Sequence, residues 1–453
     1  MEPLLLFAGT ALLVGIVPGI GSLAYGVLAI YALRGPRRTI EAFTLLILLL
    51  LGNPIVGAEG GDVFRWAVFL AGFGRLVWDL RWRSDTGIPG EVVGSVSVFV
   101  LWSVVSALIV SAFPTISILK ALTFGVGVFT ILGCFYVTRR ISPYWRNWFF
   151  TFFLFAVFAS SAFFVAGLGY WRTQNGFQGI FGHPQILGPV AGIVGAWLTG
   201  RFLQGDRSPS LLLLGTLAGS WALVFLSNAR TGFYAALIGL LSAILIHLVG
   251  NRKRQLLEGV SGSRVGILAT ALVVGLVVYG PTVQPAMTGF FEESTSRALT
   301  NPEDILQRSR GALMMSSMEN FFDSPLAGIG FGIPSRAESA VKGFEGVERV
   351  YGIPVGASVE KGFMPTAMLE EVGLVGTALL LVFIVVLSWP VVQWGGIAIN
   401  WMYWTTLAIN GGAAVFFSLG GLGLIMWLLI GFCYSQSVAR RDISNTEKLS
   451  VTQ

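Results

Sequence analysis

The residues best suited to chemistry are a short polar segment at 227–232 (SNARTG), set between two long apolar runs. Arg230 lies in this segment, at or near a membrane boundary, with no acidic residue beside it. A charged side chain at mid-bilayer costs about 2.5–3.5 kcal/mol, so ionisable residues at that depth usually have a task. A guanidinium group holds a phosphate with two parallel hydrogen bonds. Arg230 is therefore a candidate ligand for a phosphate-bearing substrate.

A second basic candidate, Arg310, falls on the apolar face of a predicted helix. This helix is expected to begin at Asn301, a capping residue followed by proline and two acids, and to run to Phe322. At about 3.6 residues per turn, one face collects the following residues. They are Leu306, Arg310, Leu313, Met314, Ser317 and Phe321. Arg308 lies nearly opposite, beside Glu319, and is interpreted as a solvated charge. Arg310 is interpreted as functional, because its position does not suit a surface residue.

A glycine-rich segment and two acids follow that helix. The segment 325–332 (PLAGIGFG) has three alternating glycines, which allow tight turns or close backbone approach to a ligand. It lacks the strand and the Lys-Ser/Thr pair of a nucleotide site, so a structural turn is predicted. Glu370 and Glu371 open a later apolar span, where two carboxylates are costly unless a helix N-terminus, arginines or water offset them. They are expected either to partner the arginines or to hold the preceding loop in place.

The elements that position these residues are membrane helices. Of 453 residues, 54% are hydrophobic and 11% are charged, whereas about 25% are charged in soluble domains. Apolar runs of about bilayer-crossing length recur, without the alternating segments of a barrel. The predicted fold is an all-α, polytopic membrane helix bundle with about fourteen transmembrane helices. The predicted spans lie near 4–17, 20–33, 40–54, 63–80, 92–113, 116–137, 148–167, 185–199, 211–226, 232–249, 265–280, 366–388, 400–417 and 420–436.

Charge placement predicts the orientation. The net charge of +6 is not a nucleic-acid signal, because the basic residues lie in short loops between the spans. That pattern sets the orientation of a membrane protein. With both termini cytoplasmic, every strongly basic loop lies on the cytoplasmic side. The segments 167–184, 227–232 and 281–365 then lie outside. Connections longer than about 12–15 residues are usually functional or disordered, and the last of these three is predicted to be functional.

Metal and disulfide chemistry is not expected. Cys134 and Cys433 both lie in apolar runs, which predicts free buried thiols. His183 and His247 are the only histidines of the chain, so a histidine metal cluster is not expected. His183 precedes a proline at an outer helix entrance, where a capping or structural role competes with a catalytic one.

Three segments, in order, resemble the O-antigen ligase and O-antigen polymerase superfamily. Residues 227–239 (SNARTGFYAALIG) resemble the opening motif of its core. Residues 309–332 (SRGALMMSSMENFFDSPLAGIGFG) resemble its arginine-led helix and glycine turn, and 365–376 (PTAMLEEVGLVG) resemble its returning span. Upstream, 179–193 (GIFGHPQILGPVAGI) is similar to a further element of the family.

The resemblance implies three parts of the chain. The first is a set of N-terminal transmembrane helices at 1–178. The second is a ligase-like core at 179–388 that includes the long extracytoplasmic segment 281–365. The third comprises C-terminal helices and a short cytoplasmic tail at 389–453.

The resemblance also implies a metal-independent, inverting glycosyltransferase at the outer face of the plasma membrane. Its donor would be a polyprenyl-diphosphate-linked glycan. Its acceptor would be a second lipid-linked glycan, a lipid A core, or another surface glycan or protein. No cofactor is expected, and a glycan flippase and a chain-length regulator are the expected protein partners. Arg230 and Arg310 match the two arginines that face the donor diphosphate in this family.

One departure bears on the catalytic base. The ligases place a histidine just before the returning span, whereas this chain has Glu360 and Lys361 there. The missing histidine favours a polymerase or a divergent branch over a lipid A ligase. Glu360 would serve as general base if apolar surroundings raised its pKa, and Lys361 would bind the diphosphate. Glu371, and with it Glu370 or His183, are the other candidate bases.

The sequence also offers one further candidate residue and one rival function. Arg172, in the outward segment 167–184, is a further candidate for contact with a glycan or a phosphate. The rival function is a transporter or flippase for an anionic lipid-linked or sugar substrate, in which the same arginines bind cargo without chemistry. Transporters often show two related halves, and no such internal symmetry is evident in this chain.

Overall fold

The computed structural model describes residues 6–10, 21–52, 64–82, 87–170, 176–204, 210–249, 266, 311–335, 349–350, 353–354, 361–413 and 415–451. Within these residues the chain is built from α-helices. The exceptions are turns, a 3₁₀ helix at Arg139–Ile141 and a two-residue antiparallel pair, β1 (Arg349–Val350) with β2 (Ile353–Pro354), in which Arg349 is opposite Pro354. The predicted all-α class is confirmed.

Most helices follow the predicted spans to within a few residues, whereas the last one runs on from the predicted end at 436 to Val451. The first seven are α1 (Gly21–Ala32), α2 (Pro36–Leu51), α3 (Arg65–Trp82), α4 (Gly90–Val110), α5 (Pro114–Val137), α6 (Ser142–Val165) and α7 (Pro184–Gln204). They are followed by α8 (Leu211–Leu226), α9 (Arg230–Val249), α10 (Gly311–Asp323), α11 (Met364–Trp394), α12 (Ile397–Ala413) and α13 (Gly421–Val451).

Seven helical segments of the described chain are long and apolar enough to cross a membrane. They are Gly90–Val110, Pro114–Val137, Arg139–Val165, Pro184–Gln204, Arg230–Val249, Met364–Trp394 and Gly421–Glu447. The protein is therefore a helical membrane protein. The count of about fourteen spans stays a prediction. Most of the predicted span 4–17 and nearly all of 265–280 lie outside the described residues. Several helices that match other predicted spans are shorter or more charged.

Local sequence explains where several helices begin. Pro36, Pro114 and Pro365 occupy the first turns of their helices, where the missing N–H of proline removes no helical hydrogen bond. Ser210 caps α8, because its hydroxyl accepts a hydrogen bond from the backbone N–H of Leu213 at 3.2 Å.

Burial separates interior helices from lipid-facing ones. In the most apolar stretch of α7 and of α13, 83% and 89% of residues are buried, compared with 33% in α4 and α9. α12 packs against α7, α9 and α13, and α11 packs against α4, α10 and α13. α7, α12 and α13 therefore form the centre on which the other helices are arranged. Cys134 and Cys433 are buried free thiols in this interior, as predicted.

α5 defines two ends of the bundle. Its 24 residues extend about 36 Å at about 1.5 Å per residue. Lys120 lies in its second turn, beside the segment that follows α10. Past its other terminus, Arg139 pairs with Asp442 of α13, with Nε and Oδ2 2.9 Å apart. We call the end with α10 and the first turns of α11 the Glu370 end, and the end with the α5–α6 junction the arginine end.

Candidate functional site

The centre of the candidate site is a break in α11. Gly373 interrupts this long helix with φ 65° and ψ −170°, and helical geometry resumes after it. A break inside a membrane helix leaves backbone N–H and C=O groups without their helical partners. Such groups cost several kcal/mol in an apolar interior unless the protein itself satisfies them.

The glycine-rich turn supplies those partners. Its N–H groups donate to the carbonyls that end the first part of α11, and its carbonyls accept from the N–H groups that begin the second part. The bonds are Ile329 N to Glu370 O at 2.8 Å, Gly330 N to Glu371 O at 3.0 Å, Leu374 N to Pro325 O at 2.8 Å and Val375 N to Leu326 O at 3.4 Å. The segment 325–332 is thus a structural turn whose close approach is to the backbone of α11.

Two glycines make this approach possible. Gly328 has φ +72°, and a Cβ there would lie 2.5 Å from the carbonyl oxygen of Glu370. A Cβ on Gly373 would lie 2.3 Å from the carbonyl of Leu326. Both positions therefore combine a left-handed backbone with contact between two main chains, and glycine is the residue that tolerates both.

An aromatic side chain anchors the turn. Phe331 is 1% exposed, and its ring centroid lies 4.7 Å from that of Phe417 and 5.5 Å from that of Phe124. Ser106 of α4 also donates a hydrogen bond to the carbonyl of Ala327 at 2.5 Å. The turn is therefore held by the core of the bundle as well as by α11.

Glu370 is fully enclosed by hydrogen-bond donors. Its Oε2 accepts from Ser317 Oγ at 2.7 Å and lies 2.9 Å from Lys361 Nζ, while its Oε1 accepts from Asn320 Nδ2 at 2.6 Å. Asn320 also donates to the carbonyl of Ser335 at 2.5 Å. Glu370 is completely buried and Lys361 is 1% exposed. This arrangement ties α10 and Lys361, which lies just before α11, to one carboxylate.

Glu371 is held differently. Its Oε2 accepts from the backbone N–H of Gly332 at 2.6 Å. Its Oε1 lies 4.0 Å from Lys361 Nζ, beyond hydrogen-bond distance. On the far side of Gly332, Lys120 Nζ donates to the Gly332 carbonyl at 2.7 Å. Lys120 was not among the candidates from sequence. It could have been found, because it is the one charged residue of its span and a charge within a membrane helix usually has a function.

Arg230 lies at a second place at the same end of the bundle. It is the first residue of α9, is half-buried, and follows Asn228, whose φ of 52° turns the chain between α8 and α9. The turn rests on α7, because a Cβ on Gly232 would lie 2.3 Å from the carbonyl oxygen of Gly188. The close contact between Gly232 and Gly188 thus holds the N-terminus of α9 against α7. Arg230 lies at this N-terminus, and helix N-termini favour anions.

His183 occupies the cap of α7, close to that turn. Its Nδ1 accepts a hydrogen bond from the backbone N–H of Gln185 at 3.1 Å, and its carbonyl accepts from Ile186 N at 3.0 Å. This is the capping role that the sequence offered as an alternative to catalysis. A role of His183 as a base stays a prediction.

The structure brings some of the predicted residues together. Glu370, Glu371 and Lys361 form one cluster, here called the carboxylate cluster together with Lys120. The proposed partners of that cluster were arginines, whereas its described partners are lysines, hydroxyl and amide groups, and backbone. Four other candidates lie outside the described residues. They are Arg172, Arg308, Arg310 and Glu360.

Comparison with known proteins gives no family assignment. No protein-family model and no curated protein matches the chain. The resemblance to the O-antigen ligase and polymerase superfamily therefore rests on the quoted motifs and on their order along the chain.

Proposed function

We propose that this protein is a membrane glycosyltransferase that moves a glycan from a polyprenyl-diphosphate donor to an acceptor hydroxyl. The reaction takes place at the outer face of the plasma membrane, with the Glu370 end outside and the termini in the cytoplasm. The bundle then has about fourteen spans. The observation that carries the proposal is the pairing of 325–330 with 370–375, two of the family-like motifs, around a buried carboxylate at the Glu370 end.

Between the two acids of this site, Glu371 is the better base. A base needs an oxygen with room for the incoming proton, and both oxygens of Glu370 are occupied by strong donors. Glu371 has one oxygen fixed by Gly332 and a second whose nearest lysine is 4.0 Å away. Glu360, outside the described residues, remains the alternative base in this proposal, and His183 is disfavoured by its capping bond.

The chemical step is a direct displacement. The carboxylate takes the proton of the acceptor hydroxyl while the hydroxyl oxygen bonds to the anomeric carbon of the donor. The bond from that carbon to the diphosphate oxygen breaks, and the diphosphate leaves with the electron pair. The anomeric configuration is inverted because attack and departure occur on opposite faces of the sugar.

Arg230 stabilises the departing diphosphate, together with Arg310. Its place at the first residue of α9 adds the helix N-terminus to the guanidinium charge, and both favour a phosphate. Removing one donor that stabilises developing charge typically costs about 2.7–4 kcal/mol. Lys361 is less suited to this task, because a phosphate contact would require it to leave Glu370. Its role in the proposal is to balance the carboxylates.

The test is transfer by the purified protein in detergent or vesicles. The assay mixes a polyprenyl-diphosphate oligosaccharide with a labelled acceptor glycan and omits ATP. We expect transfer by the native protein and a loss of roughly 10²–10³-fold in kcat for Arg230→Ala. Arg140→Ala is the matched control, since Arg140 is exposed at the arginine end. Full activity of Arg230→Ala would contradict the assigned role.

A transporter is the second candidate, and one observation favours it. Discontinuous membrane helices such as α11 often form the substrate sites of transporters. In such sites, however, the freed backbone groups face the cargo, whereas here they bond to the turn 325–330. Movement of the lipid-linked glycan across a vesicle membrane, without transfer to the acceptor, would support the transporter.

A further inference from the structure

One charged residue of the site has no role in the proposed reaction. Lys120 is the one charged residue among the 24 of α5. An ionisable residue inside a membrane helix is expensive, and it usually faces the protein interior for a purpose. Its amino group reaches across to the turn that follows α10 and donates to the carbonyl of Gly332.

Gly332 links this lysine to the proposed base. Its carbonyl accepts from Lys120 Nζ at 2.7 Å and its N–H donates to Glu371 Oε2 at 2.6 Å. The φ of Gly332 is +70°, and Phe331 before it is locked in the aromatic core. Hydrogen bonds to charged groups are short and about twice as strong as neutral ones. One residue of a rigid turn therefore joins the two charged side chains.

The charges of the carboxylate cluster sum to zero. Within the described part of the chain, Lys361 lies beside both Glu370 and Glu371, and Lys120 is close enough to Glu371 for their charges to interact. Loss of Lys120 would leave the cluster with a net negative charge in an apolar interior, where an uncompensated charge is neutralised by proton uptake. Glu370 keeps its three donors, including Lys361, in that case. The proton would therefore go to Glu371, which would no longer accept one from the substrate.

We infer that Lys120 is a positioning residue for Glu371. Through Gly332 it fixes one carboxylate oxygen, and through its charge it keeps the other oxygen ready to take the proton of the acceptor hydroxyl. The inference rests on the proposed function. Lys120 touches no reacting atom in this account, so its loss lowers the rate of the chemical step and leaves donor binding intact.

The first test compares variants at this position for kcat and KM. We expect Lys120→Met to lower kcat by roughly 10²-fold, the lower end of the contribution of general acid–base catalysis, with KM nearly unchanged. Lys120→Arg, which keeps the charge, should restore most of the rate. The matched control is Thr123→Val on the same helix, because Thr123 bonds to backbone carbonyls of its own helix. A Lys120→Met variant with native kcat would overturn the inference.

The second test needs no activity. A hydrophobic carbodiimide reacts with protonated buried carboxyl groups, and peptide mass spectrometry locates the adduct. We expect more labelling at Glu371 in Lys120→Met than in the native protein, and native labelling in Lys120→Arg. Lys120→Gln, which keeps a hydrogen-bond donor without a charge, should label as Lys120→Met does. It also replaces that variant if Lys120→Met fails to fold.

The two tests separate the inference from the function. If the native protein transfers no glycan, but Glu371 is labelled more in Lys120→Met and at the native level in Lys120→Arg, the proposed function is wrong. The coupling of Lys120 to Glu371 is then still supported. If the native protein transfers glycan, and Lys120→Met or Lys120→Gln retains native kcat and native labelling, the function stands and the inference is wrong.

Discussion

The two ends of the bundle each bury a carboxylate, and they do so in different ways. At the arginine end, Glu41 is completely buried and accepts hydrogen bonds from four side chains. The donors are Tyr31, Arg37 at 2.8 Å, Arg38 at 2.7 Å and Tyr144 at 2.6 Å. The two arginine side chains are 43% and 36% exposed, so water solvates them.

At the Glu370 end, the cation that pairs with Glu370 is itself buried. Lys361 is 1% exposed, and Ser317 and Asn320 donate from positions 53 and 50 residues away. The arginines of Glu41, by contrast, lie three and four residues before it on the same helix. A carboxylate supported by local, solvated arginines is suited to fastening helices. A carboxylate bound by buried groups that are distant in sequence, such as Glu370, holds several segments of a site together. Its loss is therefore expected to disturb all of those segments.

The largest effect should come from the break in α11. Gly373→Val adds a left-handed penalty of about 1–2 kcal/mol and a backbone clash. It also expels the turn, which loses hydrogen bonds of about 0.5–1.5 kcal/mol each. We expect the variant to accumulate poorly and to elute as aggregate in size-exclusion chromatography. Gly215→Ala on α8, where a Cβ meets nothing within 4 Å, is the control. A monodisperse Gly373→Val protein would contradict the pairing.

Glu370→Leu should have the next largest effect on stability. It leaves Lys361 buried without its carboxylate, and removal of one partner of a buried pair costs about 3–5 kcal/mol. The double variant with Lys361→Met should recover most of that loss. Unfolding by denaturant in mixed micelles measures both. Equal stability of the single and double variants would mean that the two residues are not coupled.

Glu41→Gln should cost less. The arginines that lose the negative charge keep their contact with water, so the expected loss is about 1.5–3 kcal/mol, the contribution of a hydrogen bond to a charged group. Glycan transfer should stay at the native level, since Glu41 is at the other end of the bundle. If Glu41→Gln destabilised the protein more than Glu370→Leu does, the contrast between the two ends would fail.

Asp442→Asn should have the smallest effect. Asp442 pairs with Arg139 at the arginine end, but its side chain is 43% exposed. Exposed ion pairs contribute about 0–1 kcal/mol, so unfolding should be nearly native. A loss of unfolding free energy as large as that of Glu41→Gln would show that this exposed pair stabilises the protein as much as the buried Glu41 does.

Much of the helical framework could be predicted from the sequence. Apolar length and flanking charge are local properties, and α8 coincides with the predicted span 211–226 while α9 begins two residues before its own. The helix predicted to end at Phe322 ends at Asp323. These agreements arise because a long hydrophobic run avoids water by forming a helix that crosses the membrane.

The arrangement of the site could not be predicted in the same way. Gly373 lies in an apolar run that reads as one continuous helix, and its break depends on a turn that lies more than 40 positions earlier. The bond between Ser317 and Glu370, and the link from Lys120 to Glu371, join parts of the chain with no common periodicity. The sequence identified Glu370 and Glu371 as costly carboxylates in a membrane span and Lys361 as a candidate ligand just before that span. Their partners depend on how the helices pack.

The most direct test of the account is glycan transfer by Glu371→Gln and Glu41→Gln side by side, with a polyprenyl-diphosphate oligosaccharide as donor and no ATP. Both variants replace a buried carboxylate with an amide of the same shape. We expect transfer by the native protein and by Glu41→Gln, and a loss of roughly 10²-fold or more in kcat for folded Glu371→Gln. Native turnover by Glu371→Gln, or a native protein that moves the donor across the membrane without transferring its glycan, would contradict it.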